Sequence, residues 1–148
     1  MKLKIGGISH FPTKTQVGSL KNLVKSFKTA VIIVGHGSRL KGFEKAMEKV
    51  AASLRRGGRF FLVQCAYLEI TSPLISEAID RCIQKGADEV RVLPYFLLMG
   101  NHVKFDIPAI IAGSRKKHHG KAKVLLCPYL GFHEKIVAVV KERLQGVR

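Results

Sequence analysis

Ala30-Val31-Ile32-Ile33-Val34, followed by Gly35-His36-Gly37-Ser38-Arg39, decides how the chain is read. The first five residues are wholly apolar and rich in β-branched side chains. Such a run suits a strand buried on both faces, as parallel sheets require. The next five place an imidazole between two glycines, where the backbone can turn sharply.

Beyond this stretch, strand and helix patterns alternate. Phe43, Met47, Val50, Ala51 and Leu54 recur at helical spacing, and Gly57-Gly58 ends that run. Arg59 to Cys65 reads as a second strand. Ser72 then predicts an N-cap with Pro73 at the first helical position, and Leu74, Ile75, Ala78, Ile79, Cys82 and Ile83 share one face up to Gly86. Glu89 to Leu93 is a third strand. Asp106 is expected to cap a helix with Pro108 in its first turn, fading at Gly113 into a basic loop. Lys123 to Cys127 is a fourth strand, and Phe132 to Leu144 a last helix with Ile136, Val137 and Val140 inward. Four β-α units with right-handed crossovers give an α/β fold: an open four-stranded parallel sheet flanked by helices on both faces.

Residues 1–29 stand apart as a basic, acid-free N-terminal extension, with a helix expected from Ser19 to Phe27, and residues 30–148 form the domain. The extension has no apolar core of the kind a secretory signal needs. No apolar run is long enough to span a membrane. Cys65, Cys82 and Cys127 lack CxxC spacing and read as buried apolar thiols in a reducing cytoplasm. With 26 Lys+Arg against 10 Asp+Glu, the net charge of +16 points to an acidic partner. Few aromatics interleave with the basic residues, which counts against a single-strand nucleic-acid surface.

Ligands of such sheets bind beyond the carboxyl ends of the strands, so four loops carry the functional reading. They contain His36 with Arg39; Tyr67, Leu68 and Glu69; Tyr95-Phe96-Leu97-Leu98-Met99 with His102 and Lys104; and His133. The apolar third loop suits the lining of a flat hydrophobic ligand, and Glu69 suits metal ligation or proton transfer. A dinucleotide fingerprint is excluded by Leu40, where glycine is required, and a Walker A sequence is absent. Gly35 stands where phosphohistidine enzymes place arginine. His118 and His119 fall in the basic loop at the opposite edge and read as surface, with weak metal binding the alternative.

Val34-Gly-His-Gly-Ser-Arg39, Ala66-Tyr-Leu-Glu-Ile70, Pro94 to Pro108 and Leu130-Gly-Phe-His133, in that order, resemble the successive signatures of the small CbiX-type class II chelatases. The resemblance spans Ala30 to about Arg143. It implies insertion of cobalt or iron, with nickel a further candidate, into the polyanionic tetrapyrrole sirohydrochlorin, on the way to cobalamin or sirohaem. It implies His36 and His102 as metal ligands, Glu69 as a third ligand or proton acceptor, and a recurring histidine at His133 of less defined role. Tyr67, Leu68 and Tyr95 to Met99 would pack on the macrocycle, and Arg39 and Lys104 would meet its carboxylates. The implied metal is a substrate, with no tightly bound cofactor, and the implied assembly is a homodimer. Asn101 departs from the family, which often has a basic residue before the histidine. A metal carrier and a basic nucleic-acid-binding domain are the rival readings.

Overall fold

The computed structural model describes residues 26–147. The expected helix from Ser19 lies almost wholly outside these residues. The element order is β1 (Thr29–Gly35), α1 (Lys45–Arg56), β2 (Leu62–Tyr67), α2 (Ile75–Gln84), β3 (Glu89–Pro94), a π-helical turn (His102–Asp106), α3 (Ile107–Lys117), β4 (Lys123–Leu126) and α4 (Glu134–Gln145). The sheet is all parallel in the order β2-β1-β3-β4.

Strand β1 is central because its side chains are apolar on both faces. Ala30, Ile32 and Val34 enter a cluster with Ile75, Ala78, Ile79, Cys82, Ile107 and Ile111 of α2 and α3. Val31 and Ile33 face the other way, toward Met47 and Ala51 of α1 and Val63, Cys65 and Tyr67 of β2. Truncating a fully buried residue such as Ile32 to Ala would cost about 2–5 kcal/mol. Helix α1 covers β1 and β2 only. Beside it the same face leaves a groove of about 340 Å³ lined by Val31, Leu54, Phe60, Leu93, Tyr95 and Leu130.

Several element boundaries differ from the sequence reading. Strand β2 starts at Leu62, not Arg59, because the ladder pairs Ala30 with Leu62 and ends by pairing Gly35 with Tyr67. Ser72 is not the cap of α2. The Tyr67 N–H donates to the Pro73 carbonyl (2.9 Å), which ties the segment to the end of β2, and Leu74 takes the N-cap position instead. The Leu74 N–H donates to the Glu77 carboxylate at 2.9 Å.

Asp106 caps nothing; its backbone is helical and continues from the π turn into α3. Gly113 does not end that helix, since Ile107, Ile111 and Ser114 extend one buried face through Lys117. Helix α4 starts at Glu134 and holds no buried residue; Ile136 and Val137 are half-buried, and Val140 is exposed rather than inward.

Candidate metal centre

All four loops that succeed the strands leave from the same edge of the sheet. Because β1 lies between β2 and β3, the first three of those loops converge. Backbone hydrogen bonds join the first two. Leu68 N–H donates to Gly35 O (2.9 Å) and Glu69 N–H to His36 O (3.1 Å). The Thr71 hydroxyl donates to Ser38 O at 3.0 Å and faces the Ser38 N–H at 3.3 Å. Gly37, at φ +103°, lies so close to the Glu69 carbonyl that a Cβ there would overlap it. Ile70 holds a left-handed φ of 68°, an uncommon conformation for a β-branched residue, directly after Glu69. This fastening sets Glu69 beside His36, with Oε1 3.4 Å from Nε2.

His102 comes from the third loop as the first residue of the π turn. Val103 and Ile107 anchor that turn in the protein interior and leave His102 and Asp106 at the surface. The rings of His36 and His102 meet at a centroid separation of 5.0 Å. Each of His36, Glu69 and His102 offers one ligand atom, and the three atoms lie within 4.8 Å of one another. Two imidazoles and one carboxylate, partly open to solvent, are a donor set for a divalent first-row metal with positions left for other ligands. These three residues stand out in the sequence from three separate loops, and the structure brings them together.

The remaining predicted residues divide. Leu97, Leu98 and Met99 are exposed (53%, 82% and 56%) and Tyr95 borders on exposed, forming an apolar rim beside the triad's loop; Phe96 and Leu68 instead pack partly against the protein interior. Tyr67 is not part of that rim; it is almost wholly buried and lines the cleft beside Arg39. It is the last residue of β2, buried among Met47 and Phe43, with its ring 5.1 Å from that of Phe43. Burial pushes its phenol up to about 12.

Arg39 is exposed and lines a cleft of about 680 Å³ with Leu40, Phe43 and Pro73. Lys104 is exposed on the π turn, its ammonium 5.1 Å from the Phe105 ring centre. His133 stands outside the triad and caps α4, its Nδ1 accepting from Lys135 N–H at 3.1 Å.

Two expectations away from the triad change. His118 is not a surface residue. It is buried between α2 and α3, with Nε2 2.6 Å from Asp80, while Lys117 Nζ lies 2.6 Å from the other Asp80 oxygen. Burial alone would raise the Asp80 carboxyl, but the Lys117 and His118 hydrogen bonds outweigh it and hold it below the usual range. The thiols of Cys65 and Cys82 are buried as expected, whereas Cys127 is only half-buried.

Part of the excess charge also lies away from the triad. Arg59, Lys85, Lys116 and Lys121 precede strands and Lys123 opens β4, so all five lie toward the opposite edge. Several of them come after helix C-termini, which favour cations.

Sequence reasoning missed two features. One is the Ser38–Thr71 clamp, for which nothing in the local pattern is a signal. The other is the Asp106 carboxylate, 2.7 Å from His102 Nδ1. The spacing of four residues was visible, but Asp before Ile-Pro reads first as a cap.

The CbiX family model matches residues 30–147. A chloroplastic sirohydrochlorin ferrochelatase of Arabidopsis thaliana is 34% identical over 115 residues, covering 78% of this chain and 51% of its own length. A sirohydrochlorin cobaltochelatase of Sulfolobus acidocaldarius is 33% identical over 115 residues, covering 78% of this chain and 89% of its own. The sirohydrochlorin chelatase SirB of Bacillus subtilis, solved with cobalt, superposes with a TM-score of 0.74 at 27% identity, over 81% of this chain and 51% of that one. The chain thus spans about half the length of the plant and Bacillus proteins.

Proposed function

Since the chain belongs to the CbiX family, we propose that it inserts cobalt or iron into sirohydrochlorin, with nickel a further candidate metal. The observation that carries the reading is the convergence of His36, Glu69 and His102 within 4.8 Å. The plant relative is named for iron and the Sulfolobus relative for cobalt, which supports a divalent metal as substrate.

Metal insertion exchanges one divalent ion for the two pyrrole N–H protons of the free macrocycle. It needs a held and partly desolvated ion, a proton acceptor and a macrocycle placed face-on. His36 and His102 hold the ion from one side. Glu69, 3.4 Å from His36 Nε2, accepts one departing proton once a macrocycle nitrogen takes its place on the metal, and the second passes to water at the open face of the triad. The rim of Tyr95, Leu97, Leu98 and Met99 packs on the macrocycle, and Arg39 and Lys104 face its carboxylates. Tyr67 acts from beneath, by packing under the loop that carries Glu69.

One copy supplies only one wall for a macrocycle. The exposed Leu98 and Met99, the open groove beside α1 and the unburied helix α4 support a homodimer in which a second copy covers them. Residues 1–28 are read as an extension to this domain, since Thr29 opens β1. Three unbridged cysteines suit a reducing, cytoplasmic setting. Among the described residues no helix is long and apolar enough to cross a membrane.

The test is anaerobic incubation with sirohydrochlorin and cobalt, iron or nickel ions, monitored by absorbance. Product spectra above the uncatalysed rate support the reading. Tight metal binding with no insertion of any of the three would favour a metal carrier built from the same ligands.

A further inference from the structure

His36 and His102 are held differently. His36 Nδ1 has only a long 3.3 Å contact to the Gly37 carbonyl. His102 Nδ1 lies 2.7 Å from Asp106 Oδ2. The π turn places these two residues on one side, and Val103 and Ile107 beneath them are fixed in the interior. Asp106 makes no cap bond that would divert its carboxylate.

An ionised carboxylate only accepts hydrogen bonds, so Nδ1 must carry the hydrogen. In the neutral ring the lone pair then sits on Nε2, the nitrogen directed away from Asp106. A metal-ligating imidazole commonly has its other nitrogen fixed in this way, and the partner's loss typically costs 10–100-fold in metal affinity. As a helix-surface pair alone, His102 and Asp106 would contribute only a few tenths of a kcal/mol and would not touch metal binding.

We infer that Asp106 is a positioning residue, which locks the tautomer and ring plane of His102 so that Nε2 is presented to the incoming ion. The inference rests on His102 being a metal ligand. Asp106 itself touches neither metal nor macrocycle.

The experiment uses the full chain and cobalt(II) ion alone, titrated by its visible absorption bands. It is paired with nitrogen NMR of the His102 ring in the metal-free protein. Asp106→Ala should weaken cobalt binding about 10–100-fold. It should also move His102 from a single Nδ1–H tautomer to a mixture. Asp106→Asn, whose amide oxygen still accepts from Nδ1–H, should retain most of the affinity and the tautomer. The double variant His102→Ala/Asp106→Ala should bind no more weakly than His102→Ala, because the two residues act through one ring.

Wild-type cobalt affinity in Asp106→Ala, with His102→Ala impaired, would overturn the positioning role and leave the metal site standing. An unchanged tautomer in Asp106→Ala would overturn it too. Wild-type affinity in His102→Ala would instead remove the site on which the inference rests. Asp106 is half-exposed, so circular dichroism should show both its variants folded.

Discussion

His36 and His102 meet edge to face across the seam between β1 and β3, ring centroids 5.0 Å apart and planes at 71°. Neither ring is buried, and each reaches the seam from its own loop. The contact therefore exists because two neighbouring parallel strands end at the same edge.

Replacing either histidine with Ala should abolish metal insertion and weaken cobalt binding, while stability stays within about 0.5 kcal/mol of wild type. Equilibrium unfolding beside a metal titration separates the two effects. Insertion and affinity preserved in both single variants would remove the assignment.

Gly37→Ala tests the fastening of the first two loops. The new Cβ meets the Glu69 carbonyl, and φ is +103°. The loop must shift, at a cost of about 1–3 kcal/mol, and Glu69 must move away from His36. Insertion should fall although no ligand has been removed. A variant with wild-type stability and rate would show that this close approach positions nothing.

Asp80 should govern the acid limb of stability. Its folded pKa is depressed below the unfolded value of about 3.9. Its contribution is therefore complete above that value and is lost as pH falls through the lower folded one. Asp80→Asn should cost about 1–3 kcal/mol at neutral pH. Urea midpoints of wild type and variant should converge below about pH 4. Parallel curves down to pH 2 would assign the acid transition to other groups.

Thiol reactivity should track burial. Burial pushes the Cys65 thiol up to about 12 and raises Cys82 and Cys127 as well. In the native protein at pH 8, Cys127 should react first and slowly, and Cys65 and Cys82 only on unfolding. Mass mapping of alkylated peptides reads the order, and early labelling of Cys65 would contradict it.

Salt should separate the two basic populations. Arg39 and Lys104 are on the triad's edge, so the KM for sirohydrochlorin should rise as the Debye length falls from about 10 Å at 0.1 M to about 3 Å at 1 M. Arg39→Gln should raise KM and blunt that rise, and Lys121→Gln at the opposite edge should leave it alone. Equal effects of the two variants would mean that net charge, not placement, captures the substrate. Light scattering in the same buffers should give a dimer mass. An active monomer near 16 kDa would end the dimer proposal.

The four parallel strands and the edge at which their loops gather were legible because they arise from apolar runs and crossover handedness. Ala30 to Val34 could only be a central strand, and the loop after a central strand lies at the seam. Long-range partnerships were not legible. His118 looked like surface because Asp80, which buries and bonds it, is 38 residues away. Tyr67 looked like loop because the register of β2, set by pairing with β1, lies two residues further on than its apolar run suggests. Asp106 looked like a cap because helix propensity is local, whereas the π turn that joins it to His102 depends on Val103 being anchored beneath.

On the proposed reading, an ion held by His36, Glu69 and His102 is a cross-link between loops that nearly half the chain separates. A permanent metal in that place would act as a staple, adding its binding free energy to folding because the unfolded chain offers no such site. This ion departs with each product, so the staple opens at every turnover and lends the resting fold nothing. The strands below must hold their register unaided, and Val34, Ala66 and Ile107, all at 0% exposure, close the interior under the triad without it.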